Sequence, residues 1–486
     1  MSVIRHTGYN VAASLAPIVV SLATVPAQIH YLGEARFGVL AIFAILLGYF
    51  GVFDLGISRA IAQRIAAAGE DAVEERRTIF WSGVSINLVM GAAGAIVVLP
   101  TAWWFFATQM KAPPELHHEL VSAAWWLALA VPAGLLTQVL RGALQGGQQF
   151  AALNLIGAVG NVASQVLPLA AAIWISPQLP LVIPVLFLTR LLTLAALGAA
   201  VAVLLLRGMT PRFDRARAKD LLSFGGWVAV SSFVSPLMTA FDRVLIGSMV
   251  SASAVSHYTV PYQLGERALV LPVGLTDALF PRIAARDEAA ARDMSRKAMV
   301  VIGAVMTPLM VAGIVGLKIF LSLWINPDFA AQASLAGAIL FAGFCFNAMA
   351  TAMYVSLQAG GKPRMVAIAH LIEVVPFLGL LWIGLHFWGL TGAAVASALR
   401  VSLDMLLLSY FAALLRTALR LCIMPAVLLA CALAIGPAVS FSNPYALLAG
   451  AFLIAISAMF GLRRLAREGI ALPAMIAARL HKPRPA

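Results

Sequence analysis

Apolar residues in this chain come in long runs at about 8–30, 37–63, 79–107, 119–141, 151–175, 182–206, 224–248, 257–281, 298–323, 332–357, 365–387, 390–414, 421–440 and 444–462, separated by short polar breaks. Each run is long enough to cross a hydrocarbon layer of roughly 30 Å as a helix, the form in which a backbone satisfies its own hydrogen bonds away from water. A membrane barrel would instead alternate apolar and polar residues in segments of about ten. The pattern predicts an all-α polytopic membrane protein with about 14 transmembrane helices.

One stretch appears twice. Phe37 to Ala67 is repeated in layout by Val255 to Ala285, a shift of 218 residues; both end in Arg-Ile-Ala-Ala, and Gly56 and Ala60 fall on Gly274 and Ala278. A second pair, Leu144-Gln145-Gly146-Gly147 and Leu357-Gln358-Ala359-Gly360, recurs at a shift of 213. Two nearly equal shifts indicate one unit present twice. Six spans per unit is an even number, so the copies should share an orientation about an axis along the membrane normal, with a substrate path between them. The expected organisation is an N-terminal six-helix lobe (1–206), a cytoplasmic basic linker (207–223), a C-terminal six-helix lobe (224–414), two extra membrane helices (415–463) and a basic cytoplasmic tail (464–486).

Composition agrees with this class: 62% of the 486 residues are hydrophobic, 11% are charged, and mean hydropathy is +0.94. Charge then orients the chain, because Lys and Arg accumulate in cytoplasmic loops. With the first span starting inside, 26 of the 33 basic residues fall on the inner side, whereas Arg36, Lys111 and Lys318 fall outside and Arg190, Arg243, Arg267 and Arg400 within spans. Both termini are therefore expected in the cytoplasm. The net charge of +13 reads as a topology signal and not as a nucleic-acid surface, since the basic residues sit in short inter-span loops. The linker, RGMTPRFDRARAKDLLS, is expected on the inner leaflet, where its cations can meet anionic lipid headgroups. Met1–His30 lacks a small-residue cleavage site and is expected to stay as the first span.

Several short elements resemble a known family. These are the Leu-Gly-x-x-x-Phe-Gly turn (Leu32 to Gly38), Phe53-Asp54-Leu55-Gly56, Phe241-Asp242-Arg243 with Ile246-Gly247 and Tyr258, Phe280-Pro281-Arg282-Ile283-Ala284, and the Leu-Gln-x-Gly loops. Together they resemble the polysaccharide-exporter (oligosaccharide flippase) branch of the multidrug/oligosaccharidyl-lipid/polysaccharide (MOP) flippase superfamily. The resemblance implies two six-helix lobes that move a lipid-linked oligosaccharide across the bacterial inner membrane by alternating access. The implied cargo is a polyprenyl-diphosphate-linked unit for O-antigen, capsule or exopolysaccharide, and a polysaccharide polymerase is a possible partner.

Charge within a span is costly and marks function. A lipid diphosphate needs cationic partners while it crosses, and Arg presents a planar multi-donor fork to phosphate oxygens. Arg267 and Arg400 lead the substrate-binding candidates, with Arg190 and Arg243. Two static readings stand beside them: Arg400 has Asp404 four residues on, and Arg243 adjoins Asp242. Candidates for ion coupling are Glu266, Asp277, Glu373, Asp404 and Asp54. Glu266 and Asp277 are eleven residues apart, three helical turns, so they are expected to share a face with Gln263 and to line a path. Asp54, close to Arg59, is open to a capping role. Asn154, Asn161 and Gln165 could bond sugar hydroxyls or a neighbouring helix. Pro26, Pro132, Pro236, Pro261, Pro272 and Pro376 interrupt spans as hinges or static kinks. Trp103, Trp104, Trp125 and Trp126 suit an interfacial belt.

Other chemistries lack their groups. No cofactor is implied; Cys345, Cys422 and Cys431 have no ligand spacing, and His117-His118 has no further ligands, so no metal site is expected. No phosphate loop points to ATP hydrolysis, and no nucleophile elbow or paired catalytic carboxylates point to an enzyme. Three alternatives remain open: a cation-coupled multidrug or metabolite exporter of the same fold, for which an acid-lined lumen is expected; a peptidoglycan-precursor flippase; and a membrane glycosyltransferase or polymerase, for which a large outer loop is expected.

Overall fold

A computed structural model of the chain describes residues 3–50, 54, 56–69, 72–206, 208 and 210–469; of residues 3–16, 49, 223–237 and 239 only the helical backbone is described. The basic residues of the tail beyond 469, Phe53 and Leu55 of the family-like element, and the side chain of Pro236 lie outside the described residues.

The chain is built from helices α1 (Val3–Leu32), α2 (Glu34–Tyr49), α3 (Ile57–Ala68), α4 (Val73–Trp104), α5 (His117–Gly146), α6 (Phe150–Trp174), α7 (Leu179–Leu204) and α8 (Arg215–Met249). There follow α9 (Ala252–Arg267), α10 (Val270–Ala284), α11 (Glu288–Trp324), α12 (Pro327–Ala359), α13 (Pro363–Phe411), α14 (Leu415–Ile435) and α15 (Pro444–Arg467). Nine of these are long and apolar enough to cross a membrane among the described residues. That is fewer than the fourteen predicted runs because α13 carries two runs in one element, two runs are broken into shorter helices, α1 is fully described only over Pro17–Leu32, and α8 is described through much of its run by its backbone alone. The run 37–63 breaks at Gly56, whose φ of 81° suits glycine, and the run 257–281 breaks at Ala268–Leu269. Shifted by 218 residues, α2 lands on α9 end for end, so the two related stretches break in the same register.

Two compact units divide the chain, Met1–Ser256 and His257–Ala486, the boundary falling within α9. In the first, Ile57, Ile61 and Ile65 of α3 pack with Phe80 of α4, Leu144 of α5, Leu197 and Val201 of α7, and Leu221 of α8. Small residues allow the backbones to meet: a Cβ on Gly142 or Gly146 would lie 2.3 or 2.4 Å from the carbonyl oxygen of Ser58 or Ala62. Lipid tails are as apolar as leucine, so such close packing holds membrane helices together where the hydrophobic effect cannot. In the second unit α11, α12 and α13 form the core, and α15 packs on α11 where Gly461 meets the carbonyl of Ala304. Outward-facing Trp103, Trp104 and Trp125 are more than half exposed, as a lipid-interface belt requires.

Candidate functional site

In the second unit, α13 folds back on itself. Gly389 takes φ 55° and ψ −130°, a conformation outside any helix, and the two halves of α13 then run antiparallel. They touch at Gly384 and Gly392, where a Cβ on Gly392 would lie 1.9 Å from the Gly384 oxygen. Residues at similar distances from the reversal are thereby paired. Arg400 Nη1 lies 3.8 Å from Glu373 Oε2, and His370 Nε2 lies 3.7 Å from Asp404 Oδ1. The Arg400 guanidinium also sits over the Phe377 ring, 5.4 Å from its centroid, a cation–π position.

The cluster is buried and under-bonded. The Glu373 side chain is fully buried, those of Asp404 and Arg400 are 13% and 14% exposed, and that of His370 is 24% exposed. Among the described residues neither oxygen of Glu373 has a hydrogen-bond partner, nor has Asp404 Oδ1 or Arg400 Nε. Buried polar atoms left unbonded cost about 1–3 kcal/mol each, so a cluster of them calls for a functional explanation. The spacing of four residues allowed Arg400 a static pair with Asp404 on one helix face, beside its reading as a substrate-binding residue. The structure instead turns each toward the opposite half of α13. It also adds His370, which sequence reasoning missed although it lies three residues before Glu373.

In the first unit, Arg190 projects from the buried stripe of α7 formed by Ile183, Leu186, Leu197 and Val201. Its Nε is buried without a hydrogen-bond partner, and no carboxylate forms an ion pair with it among the described residues. Arg243 differs: its Nη1 lies 2.8 Å from Asp242 Oδ1, and both side chains are almost wholly buried. That geometry is the self-neutralising pair the sequence allowed.

The remaining candidates separate. Glu266 is exposed near the end of α9 and is the charged neighbour of Arg267, while Asp277 is exposed on α10. The break at Ala268–Leu269 interrupts the helix on which a shared face for Glu266 and Asp277 was expected, so that spacing argument fails. Asp54 is buried, and its two oxygens accept from Ser58 N at 3.0 Å and Ser58 Oγ at 2.7 Å, holding the first turn of α3. Gln165 bonds a neighbouring helix: Gln28 Nε2 donates to its backbone oxygen at 3.0 Å, and its Nε2 donates to Pro17 O at 3.4 Å. Cys345 and Cys422 are buried packing residues and Cys431 is exposed.

The architecture and buried charges define an all-α, multi-pass membrane protein with the fold of MOP-superfamily transporters. It is similar to "Lipid II flippase MurJ, inward closed conformation", with a TM-score of 0.73 at 14% identity over 95% of this chain and 99% of that one. It is also similar to an inward-facing multidrug resistance MATE family transporter of the MOP superfamily, with a TM-score of 0.65 at 15% identity over 85% of this chain and 95% of that one. The family model described as polysaccharide biosynthesis protein matches residues 3–286, more than half of the sequence, and the chain belongs to that family. Among curated proteins it is 26% identical to the "Putative O-antigen transporter" of Shigella flexneri, over 84% of this chain and 97% of that protein. It is 24% identical to the "Probable low-salt glycan biosynthesis flippase Agl15" of Haloferax volcanii, over 78% of this chain and 77% of that protein.

Proposed function

We propose that this protein is a flippase that moves a polyprenyl-diphosphate-linked oligosaccharide from the inner to the outer leaflet of the bacterial inner membrane by alternating access. Family membership and the transport roles named for its curated relatives support the class. The observation that carries the choice of cargo is Arg190. A guanidinium among apolar helices with no carboxylate partner is expensive to maintain, and an anionic headgroup in transit would compensate it. Arg267, beside Glu266, is a second headgroup-binding candidate, and Glu373 and Asp404 serve ion coupling. Arg243 and Arg400, each facing an internal carboxylate, contribute less to headgroup binding. The protein works as a carrier without making or breaking bonds in its cargo, with both termini cytoplasmic. A polymerase that consumes the delivered unit is a suitable partner.

The test is translocation by the full chain in reconstituted vesicles carrying a fluorescent polyprenyl-diphosphate oligosaccharide. Arg190→Ala should slow translocation at least tenfold, Arg190→Lys should recover part of the rate, and a polyprenol-linked sugar without the diphosphate should stay in its leaflet. Equal transport of charged and uncharged cargo by the wild type would overturn the reading.

A further inference from the structure

Two helices of the second unit carry a proline well inside them, Pro308 in α11 and Pro425 in α14. Proline has no N–H, so the carbonyls four residues earlier, those of Ala304 and Leu421, lack their helical donor. The hydrocarbon layer holds no water to replace it, and positions of this kind are where helices bend.

One stretch of α15 meets both carbonyls. Arg464 Nη1 donates to Leu421 O at 3.0 Å. A Cβ on Gly461 would lie 2.3 Å from Ala304 O, so the hydrogen that glycine carries in that place meets the carbonyl as a Cα–H···O contact. One turn beyond Arg464, Glu468 grips Arg296 of α11 through both oxygens, at 2.7 and 2.8 Å. Positions 461, 464 and 468 share one face of α15. The seam with α11 also extends the other way: Gly450 packs on Val315, where an added Cβ would lie 2.6 Å from Val315 Cγ1. From Gly450 to Gly461 the chain of α15 advances eleven residues while its contact on α11 retreats eleven, from Val315 to Ala304, so the two helices are antiparallel and in register. Because Glu468 has both oxygens on Arg296, the Arg464 guanidinium is left to the Leu421 carbonyl, and it lies over the Phe460 ring at 5.3 Å from the centroid. Next to Leu421, Cys422 Sγ donates to Met405 Sδ at 3.4 Å, which carries the course of α14 on to the second half of α13.

We propose that α15 is a strap that holds α11 and α14 as one rigid body, with Arg464 standing in for the N–H that Pro425 lacks, and that transport requires this body to move without bending at its prolines. Arg464 is thus a positioning residue: it acts on the cargo path through α14 and not by touching cargo. The transport half rests on the flippase reading above; the strap itself does not.

Hydrogen exchange of the α14 amides is followed by mass spectrometry on the purified full chain in detergent, for the wild type, Arg464→Met, Pro425→Ala and the double variant. Arg464→Met should exchange at least about threefold faster around Leu421, as the loss of one hydrogen bond implies. Pro425→Ala returns a helical donor to Leu421 O, so adding Arg464→Met to it should change exchange by less than about twofold. Arg464→Lys keeps a donor and should fall between the wild type and Arg464→Met. In vesicles carrying the fluorescent lipid-linked oligosaccharide, Arg464→Met should flip several-fold more slowly and the double variant should recover. An Arg464→Met effect on exchange that is equal with and without Pro425, or a flipping rate untouched by Arg464→Met, would overturn the inference. Should Arg464→Met not be recovered folded, the double variant should be, and loss of both would overturn it as well. If the wild type gives no flipping, the flippase reading fails, while rescue of exchange by Pro425→Ala would still support the strap.

Discussion

Arg36 and Glu119 form a two-pronged ion pair, Nη2 to Oε1 at 2.7 Å and Nε to Oε2 at 3.0 Å, and the same Oε2 accepts the backbone N–H of Leu179 at 2.9 Å. One carboxylate thereby fastens the starts of α2, α5 and α7. Glu119 is buried, so removing its cation leaves a desolvated acid. Arg36→Ala should cost about 1–3 kcal/mol and Arg36→Lys less, because lysine keeps the charge facing Glu119 although it cannot make the fork. Thermal unfolding in detergent measures both; an Arg36→Ala protein as stable as wild type would show that the pair contributes nothing.

Gly392 is where the halves of α13 meet. Gly392→Ala places a methyl group 1.9 Å from the Gly384 oxygen, so the halves must separate and pull Arg400 from Glu373. Overpacking of this kind costs about 1–3 kcal/mol, and here it acts on backbone that cannot rotate aside. The variant should lose stability in thermal unfolding in detergent, whereas Gly379→Ala, where an added Cβ meets nothing within 4 Å, should keep it; equal melting of the two variants would show that the Gly384–Gly392 contact tolerates a side chain.

Where the end of α15 meets the first turns of α11, Arg296 binds both oxygens of Glu468, at 2.7 and 2.8 Å, and Asp293 joins at 3.2 Å. The Arg296 hydrogen bonds hold the Glu468 carboxyl below the usual carboxylate range. A carboxyl with a lowered folded-state pKa stabilises above its unfolded value, about 4.3 for Glu, and loses that contribution as pH falls through the folded value. Hydrogen exchange at the end of α15 should therefore quicken below about pH 4. Glu468→Gln should exchange quickly at neutral pH and lose that acid step; an unchanged acid profile in Glu468→Gln would assign the step elsewhere.

The basic linker meets protein carboxylates as well as solvent. Arg212 pairs with Glu74, Arg217 Nη2 with Glu75 Oε1 at 2.6 Å, and Arg64 Nη2 with Asp220 Oδ1 at 2.8 Å. Ser82 Oγ also accepts the N–H of Asp214 at 3.1 Å. Exposed pairs of this sort are weak singly and screened by salt. The double variant Glu74→Gln, Glu75→Gln should release Arg212 and Arg217, raising trypsin cleavage of the linker several-fold and strengthening binding to anionic vesicles. Unchanged cleavage would mean that the linker is held by its backbone contacts alone.

Much of the architecture was legible because long apolar runs admit few structures in lipid, and the repeat at 218 residues surfaced again in the matched limits of α2 and α9. The breaks within those stretches were less legible, since Ala268–Leu269 carries no Gly or Pro to announce it. The pairing of His370 with Asp404 and Glu373 with Arg400 follows once the reversal at Gly389 is known, whereas helical spacing alone allowed only a local pair of Arg400 and Asp404 as one of two readings.

The sequence by itself determined that the chain is a helical membrane protein with arginines and acids inside its spans, because hydropathy and the cost of burying charge act on residue type alone. Only the tertiary structure decided which charges cancel. Arg243 and Arg400 meet carboxylates, Asp54 holds a helix start, and Arg190 has no acid to pair with among the described residues. Ion pairing depends on a few ångströms of separation, and those are set by how helices break, reverse and pack.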